Sequence, residues 1–477
     1  MANLNTGGAA AIFIAANHIL VELLLFSAFW FLVGAIDDLC VDVIWAVRRL
    51  YRRFRFYARR GPMRADDLPA ADNPGMLAIF VPTWQEAPVI GAMLRNCQQV
   101  WGSGQQQYRI YVGCYKNDDA TMAAVQQVAA GNAAIQLVQL PVNGPTSKAD
   151  CLNYLWQALL SDEAGSQRAK AVILHDAEDL VHRQELRIYD RLIEKHPAVQ
   201  IPVLPLPVPG SLFISGHYCD EFAEAHGKSL VVREALGASV PLAGVGCAIR
   251  RDILGKIAGA SDGKPFDTDS LTEDYELGFK IGTYGQTILA RFNDADGQLV
   301  ASRAYFPADL VSAVRQKARW MTGIGLTGWD RLGWRGSLAQ RWMLLRDRKA
   351  LLAAIVLCAA YLCILLTGIL TLAHLAGAYT PPALPPFLVT LLWVNFGFLV
   401  WRLFVRGVFA ARLYGWRAGL MTVPRSFVAN IIAIMAARRA CAAYIRHLLG
   451  APLRWDKTEH RHFPHTETTI RPKKYDA

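Results

Sequence analysis

The stretch Met76-Leu-Ala-Ile-Phe-Val81, running into Pro82-Thr83-Trp84-Gln85-Glu86 and then into Pro88 to Trp101, decides the fold. Six consecutive apolar residues without alternation read as a strand buried on both faces. The residues from Pro88 to Trp101 follow with helical spacing. The same strand reading recurs at Arg109–Gly113, Ile135–Leu140 and Ala171–Leu174, and the helical one at Ala120–Ala130 and Lys148–Leu160. Strand and helix alternating in this way predict an α/β domain with a doubly wound, Rossmann-like parallel sheet, whose ligand site lies at the carboxyl ends of its strands.

Outside this region the chain turns apolar. Charged residues are 19% of the 477, and mean hydropathy is +0.21, where an ordinary soluble domain has ~25% charged residues. Ala9 to Ile36 is almost wholly apolar, long enough to cross a bilayer, and lacks a basic lead and a cleavage site, so it reads as an uncleaved anchor. Seven arginines between Arg48 and Arg60 put its far side in the cytoplasm. The net charge of +11 is therefore assigned to lipid headgroups rather than to nucleic acid. Leu351–Leu375 and Phe387–Trp401 predict two more crossings. Leu420–Ala437 predicts an amphipathic helix in the interface, because a fourth crossing would carry Arg438, Arg439, Arg446, Arg454 and Lys457 outside. The expected domains are an anchor with a basic segment (1–65), an α/β domain (66–345), two spanning helices with interfacial helices (346–450) and a cytoplasmic tail (451–477). Nine dispersed cysteines without a CxxC pair argue against a disulfide framework or a zinc site.

Acidic and polar residues follow the strand ends: Thr83 to Glu86, Asn117-Asp118-Asp119, and His175-Asp176-Ala177-Glu178-Asp179. Carboxylates gathered in one crevice suit a hard divalent cation shared with a diphosphate. The plainer reading is that such acids cap the next helices, and Asp118 is open to both. Leu271-Thr272-Glu273-Asp274-Tyr275 adds an acidic pair, and Gln316-Lys317-Ala318-Arg319-Trp320 ends a predicted helix. A carboxylate can serve as a general base, an arginine can neutralise a diphosphate, and an indole can stack on a sugar. Equally, Thr272–Asp274 could be a helix N-terminus and Trp320 a membrane anchor. Gly323-Ile-Gly-Leu-Thr-Gly328 matches GxGxxG but follows a helix, so it is set aside as a dinucleotide motif.

In their order, PTWQE, ND, SKADCLN (147–153), DAED, GVG (244–246), TED and QKARW resemble the motifs of processive family-two glycosyltransferases of the cellulose-synthase and hyaluronan-synthase type. HDAED, the stretch from His217–Glu224 to Pro241, and the tail Arg454–Thr458 with Phe463-Pro464 resemble the subgroup of phage-adsorption protein B inner-membrane glycosyltransferases. The resemblance implies a GT-A domain inserted between membrane helices. It implies transfer from a UDP-sugar to a growing glycan, and a magnesium or manganese ion on Asp176 and Glu178, with Asp179 the alternative to Glu178. It further implies that Thr83, Glu86, Asp118, Lys148, Asp150 and Asp176 bind the nucleotide sugar. Asp274, beside Glu273, would be the general base. Gln316, Arg319, Trp320, Gly244 and Gly246 would face the diphosphate and acceptor. Membrane lipids, a homo-oligomer and an outer-membrane exporter are the partners it suggests. Two alternatives stay open: transfer of a single sugar to a lipid phosphate, and a catalytically idle membrane scaffold.

Overall fold

A computed structural model describes residues 3–58, 61, 63–102, 104–452 and 463–464. The tail motif 454–458 lies outside them. Helix α1 (Asn3–Arg52) has 50 residues, about 75 Å of helix against a hydrocarbon core of about 30 Å. It therefore runs on beyond the apolar stretch to reach the α/β domain.

The predicted alternation is present: β1 (Leu77–Pro82), α2 (Ala87–Trp101), β2 (Tyr108–Tyr115), α3 (Asp119–Ala129), β3 (Ile135–Leu140), α4 (Lys148–Glu163) and β4 (Ala171–Leu174). The chain continues through α5 (Glu185–Leu192), β5 (Ala198–Gln200), β6 (Val203–Leu206), α6 (Ile214–Glu224), α7 (Leu230–Ala235), β7 (Cys247–Arg250), α8 (Arg251–Gly259), α9 (Glu273–Gly282), β8 (Ile288–Leu289) and β9 (Ser302–Tyr305). It closes with α10 (Leu310–Trp320), α11 (Gly328–Leu332), α12 (Leu338–Arg348), α13 (Ala350–Leu375), α14 (Pro386–Tyr414) and α15 (Trp416–Leu448).

The main sheet has the order β3-β2-β1-β4-β7-β5-β8. Its first four strands are parallel, β7 is antiparallel to β4 and β5, and β5 is parallel to β8. The doubly wound expectation holds for the four strands legible in the sequence, and the remainder is mixed. β1 explains itself by its two faces: Leu77, Ile79 and Val81 pack with Val89, Ile90 and Met93 of α2, while Ala78 and Phe80 pack with Leu152, Leu155 and Trp156 of α4. Side chains alternate across a strand, and both layers here need apolar partners. The chain moves outward from β1 to β3 and returns to β4 on the other side of β1. The β1 and β4 carboxyl ends thus open the crevice at which such sheets bind ligands.

Four helices, α1, α13, α14 and α15, are long and apolar enough to cross a membrane. One more helix thus meets that criterion than the three crossings expected. α15 is continuous through Pro424, and it is tied to the α/β domain. Arg425 donates to Asp220 of α6 at 3.0 Å, and Ile432 packs with Tyr218, Ala313 and Val314. Acidic residues near the end of α1 bind the later helices: Asp37 accepts from Trp342 Nε1 at 2.6 Å and from Lys349 Nζ at 2.5 Å, and Asp38 pairs with Arg346 at 2.9 Å. Lys228 bridges Asp42 of α1 (2.5 Å) and Glu224 (2.7 Å). Paired in this way, acids in a membrane-proximal helix avoid the cost of an isolated charge.

Candidate active site

At the end of β1, Thr83 donates from its backbone N (3.0 Å) and Oγ1 (2.7 Å) to Gly113 O of β2. Gln85 then takes a positive φ of 53°, a conformation that non-glycine residues adopt only when neighbours hold them there. The holder is Asp118, whose Oδ2 accepts Gln85 N at 2.6 Å while its Oδ1 caps α3 through Thr121 N. Asp118 is thus both a helix cap and a brace for the PTWQE turn. Glu86, buried, is fixed through its backbone N on Thr121 Oγ1 at 3.0 Å. Beside them Trp84 meets Tyr115 edge-on at 5.3 Å. Gly144 lies so near that an added Cβ would stand 2.5 Å from the indole.

At the end of β4, His175 points into the core, with Nδ1 2.8 Å from Asp179 Oδ2 and Nε2 3.5 Å from Glu185 Oε1. Burial opposes its charge, but Glu185 and Asp179 outweigh that and push its pKa up to about 10. Asp179 also accepts Asp176 N at 3.1 Å. Turned inward in this way, Asp179 shapes the loop.

Ser147 caps α4 by accepting Asp150 N at 3.2 Å, which sets Lys148 on the first turn. Lys148 Nζ reaches Asp176 Oδ1 at 2.5 Å and donates to Gly244 O at 3.3 Å. The glycine loop is held by Gln200 of β5, fully buried, whose Nε2 donates to Val245 O (2.9 Å) and Gly246 O (3.0 Å) and whose Oε1 accepts Ala243 N (2.9 Å). Gly244 has φ +73°, and a Cβ there would collide with Asp274 Oδ2. Gly246 (φ +59°) sits against Ser302 and Ile201 instead. In the Cβ direction, the space at these glycines is filled by the protein itself.

Glu273 and Asp274 open the first turn of α9. Burial, then Asp274, push Glu273 up to about 7, and burial also raises Asp274 against the pull of Lys148. Burial works to discharge Lys148, but Asp176, Glu273 and Asp274 together hold it firmly protonated. Three carboxylates face one ammonium, and Arg319 also favours the charged forms of Glu273 and Asp274. This excess of negative charge, with the Asp176 side chain 33% exposed, fits a cation shared with a ligand's phosphates, since magnesium commonly takes one or two carboxylates plus phosphate oxygens. Among the described residues no group of three His, Cys, Asp or Glu is arranged to hold a metal by itself.

The structure therefore brings together Lys148, Asp176, Gly244, Glu273 and Asp274. Thr83, Glu86 and Asp118 form an adjoining brace at β1. Trp320 at the end of α10 stands apart, in an aromatic cluster with Tyr218 (6.3 Å) and Phe222 (6.2 Å) of α6. Gln316 Oε1 is buried without a hydrogen-bond partner among the described residues. Sequence reasoning missed Gln200, Glu185 and the role of His175. A lone glutamine in a buried three-residue strand was the available signal for the first.

The sequence profile of "Glycosyltransferase like family 2" matches residues 74–323, which contain every element of this crevice up to the end of α10. The chain belongs to glycosyltransferase family 2. It is 37% identical over 457 residues to bacteriophage adsorption protein B of Escherichia coli strain K12, covering 90% of this chain and 60% of that protein. The same figures hold for bacteriophage N4 adsorption protein B of Escherichia coli O157:H7. The chain thus spans about 60% of the length of these relatives. Among solved structures it is similar to the mannosyltransferase PcManGT from Pyrobaculum calidifontis, in complex with GDP-Man and Mn2+. The TM-score is 0.51 at 17% identity, covering 86% of this chain and 99% of that one. At that identity the likeness establishes the fold, which is of the GT-A type.

Proposed function

We propose that this protein is a membrane-embedded inverting glycosyltransferase that uses a UDP-sugar to elongate a bacterial surface glycan. The observation that carries the reading is the cluster of Lys148, Asp176 and Asp274 at the crevice between β1 and β4. Asp274, raised above an ordinary carboxylate by burial, is a stronger base than a free carboxylate. It removes the proton from an acceptor hydroxyl; the oxygen bonds to the anomeric carbon as the bond from that carbon to the diphosphate oxygen breaks. One displacement inverts the configuration. Lys148 and Arg319 offset charge on the departing UDP, and Thr83 and Glu86 line the nucleoside, with Asp118 acting through Gln85. A divalent cation bound by Asp176 and Glu178 would supply further neutralisation of the diphosphate. Trp320, in its aromatic cluster with Tyr218 and Phe222, would offer an indole face for the lengthening chain to stack on. The arginines after the first and third predicted spans, with an uncharged connector after the second, favour a cytoplasmic catalytic domain at the inner membrane. The ties of α15 to α6 and α10 favour an interfacial position for that helix.

Asp274→Asn tests the assignment. UDP release from a donor should stop while UDP binding stays close to that of the parent, and loss of both together would assign Asp274 to folding. Product size separates elongation, which yields a polymer, from transfer of one sugar to a lipid phosphate.

A further inference from the structure

Helix α9 carries Glu273 and Asp274, yet its N-cap Thr272 makes no side-chain capping hydrogen bond. Something else must fix its first turn. On one side Lys148 and Gly244 approach Asp274, and neither is a directional anchor for the helix. Further along, Leu277 and Ile281 pack into the core and Gly278 against residues 240–242; the anchors of the first turn lie on the other side, and most come from one piece of chain, residues 321–348, between the QKARW motif and the spanning helix α13.

Three contacts make the grip. Tyr275 Oη donates to Asp347 Oδ2 at 2.7 Å. Arg233 of α7 donates from Nη1 to both oxygens of the same carboxylate at 2.9 and 2.8 Å. Its Nε binds Ser239 O at 2.6 Å, and its guanidinium lies 5.3 Å from the Phe279 ring, four residues along α9 from Tyr275. Residues at that spacing share a helix face, so a single buried arginine and Asp347 hold one face of α9. Next, Arg331 Nε donates to both oxygens of Glu276 at 2.9 Å, and Ser270 Oγ donates to Glu276 Oε1 at 2.6 Å. Last, Gly323 lies so close to Thr272 that an added Cβ would stand 2.6 Å from its Oγ1.

The far side of α12 is tied to the membrane anchor. Arg346 Nη2 donates to Asp38 Oδ1 at 2.9 Å, and Trp342 Nε1 donates to Asp37 Oδ1 at 2.6 Å. Successive helix residues are turned by about 100°, so Arg346 can face α1 while Asp347 faces α9. α12 is therefore gripped between the two.

We propose that α12 is a positioning clasp, in which Asp347 with Arg233 holds the α9 turn bearing Glu273 and Asp274 in register with Lys148 and Asp176, and thereby ties the reactive geometry to membrane helix α1. The inference rests on the transferase reading above and names positioning residues for it: Asp347, Arg233 and Tyr275. None of them needs to touch substrate.

The experiment uses the full-length protein in detergent, with Tyr275→Phe (a single oxygen removed), Asp347→Asn and the double variant. UDP binding is measured by calorimetry, and UDP release over a panel of UDP-hexoses and UDP-N-acetylhexosamines. The clasp predicts that turnover at saturating donor falls roughly 10- to 100-fold, as small misplacements of reacting groups do. UDP affinity should change by less than about threefold, and the double variant should be no worse than Asp347→Asn alone, because both remove one linkage. Unchanged turnover in Tyr275→Phe and Asp347→Asn overturns the proposal, as does a parallel loss of UDP binding and turnover. A parent protein that releases UDP from no donor counts against the function proposed above. The clasp is then decided by amide hydrogen exchange: faster exchange confined to residues 273–282 in both variants supports it, and exchange identical to the parent overturns it.

Discussion

Gly244→Ala is the substitution whose consequence the geometry specifies most closely. At φ +73° an L-residue is strained, which costs about 1–2 kcal/mol. The new Cβ also overlaps Asp274 Oδ2. Carbon and oxygen settle near ~3.5 Å, so the carboxylate must withdraw by roughly 1 Å. A shift of that size at a reacting group costs on the order of 100-fold in rate, or about 2.7 kcal/mol of barrier. The strain alone leaves a protein of about 5–15 kcal/mol stability almost entirely folded. A large fall in turnover must therefore come from the displaced carboxylate. Gly246→Ala is the control, since at φ +59° its Cβ meets Ser302 and Ile201 rather than Asp274. The assay is UDP release at saturating donor, with melting midpoints for both variants. Similar losses of stability are expected, with the ~100-fold rate loss in Gly244→Ala only. Turnover of Gly244→Ala within threefold of the parent would refute the placement of Asp274 as a reacting group.

Other consequences follow from the same geometry. Glu273 is pushed up to about 7 from an ordinary 4.5, chiefly by burial, so the folded state holds a proton that the unfolded chain has released. Its stabilising share is complete below pH 4.5 and lost as pH rises through 7. The melting midpoint should decline between those values, and Glu273→Gln should flatten the decline; an equally steep one contradicts the burial assigned to it. Lys148→Met leaves Asp176, Glu273 and Asp274 facing one another without their ammonium and should weaken UDP binding at least ~10-fold, about 1.4 kcal/mol. Calorimetry checks this, and unchanged affinity would exclude Lys148 from the donor site. Arg425→Ala strands buried Asp220 and should cost about 3–5 kcal/mol. A melting scan in detergent reads it, and a midpoint unmoved from the parent would mean that α15 is not anchored there.

Legibility in the sequence followed burial on both faces. β1 and β4 announce themselves because each is apolar throughout, β2 and β3 through apolar centres that outweigh Arg109, Gln136 and Gln139, and α2, α3 and α4 between them carry helical spacing. β5, β7 and β8 did not, because they are two to four residues long and owe their pairing to neighbours remote in the chain. Site residues were legible where chemistry demanded a residue type at a strand end, as with Asp176, or at a helix start, as with Lys148 and Asp274. Residues that hold these in place were not: Gln200, Asp347 and Arg233 act across sequence separations that no local pattern encodes. Asp118 had two readings, cap and ligand, and the cap is what the geometry displays. For the last helix, Pro424 and the arginines of 417–446 were the visible features. Its continuity became apparent only with Arg425 buried against Asp220.

We propose that the crevice holding Lys148, Asp176 and Asp274 transfers a sugar from a nucleotide donor. The most direct test is UDP release by the purified protein from a panel of UDP-sugars, with and without magnesium or manganese. Release from one donor that disappears on chelation and in Asp274→Asn is the predicted result. Release that persists undiminished in Asp274→Asn would contradict the account.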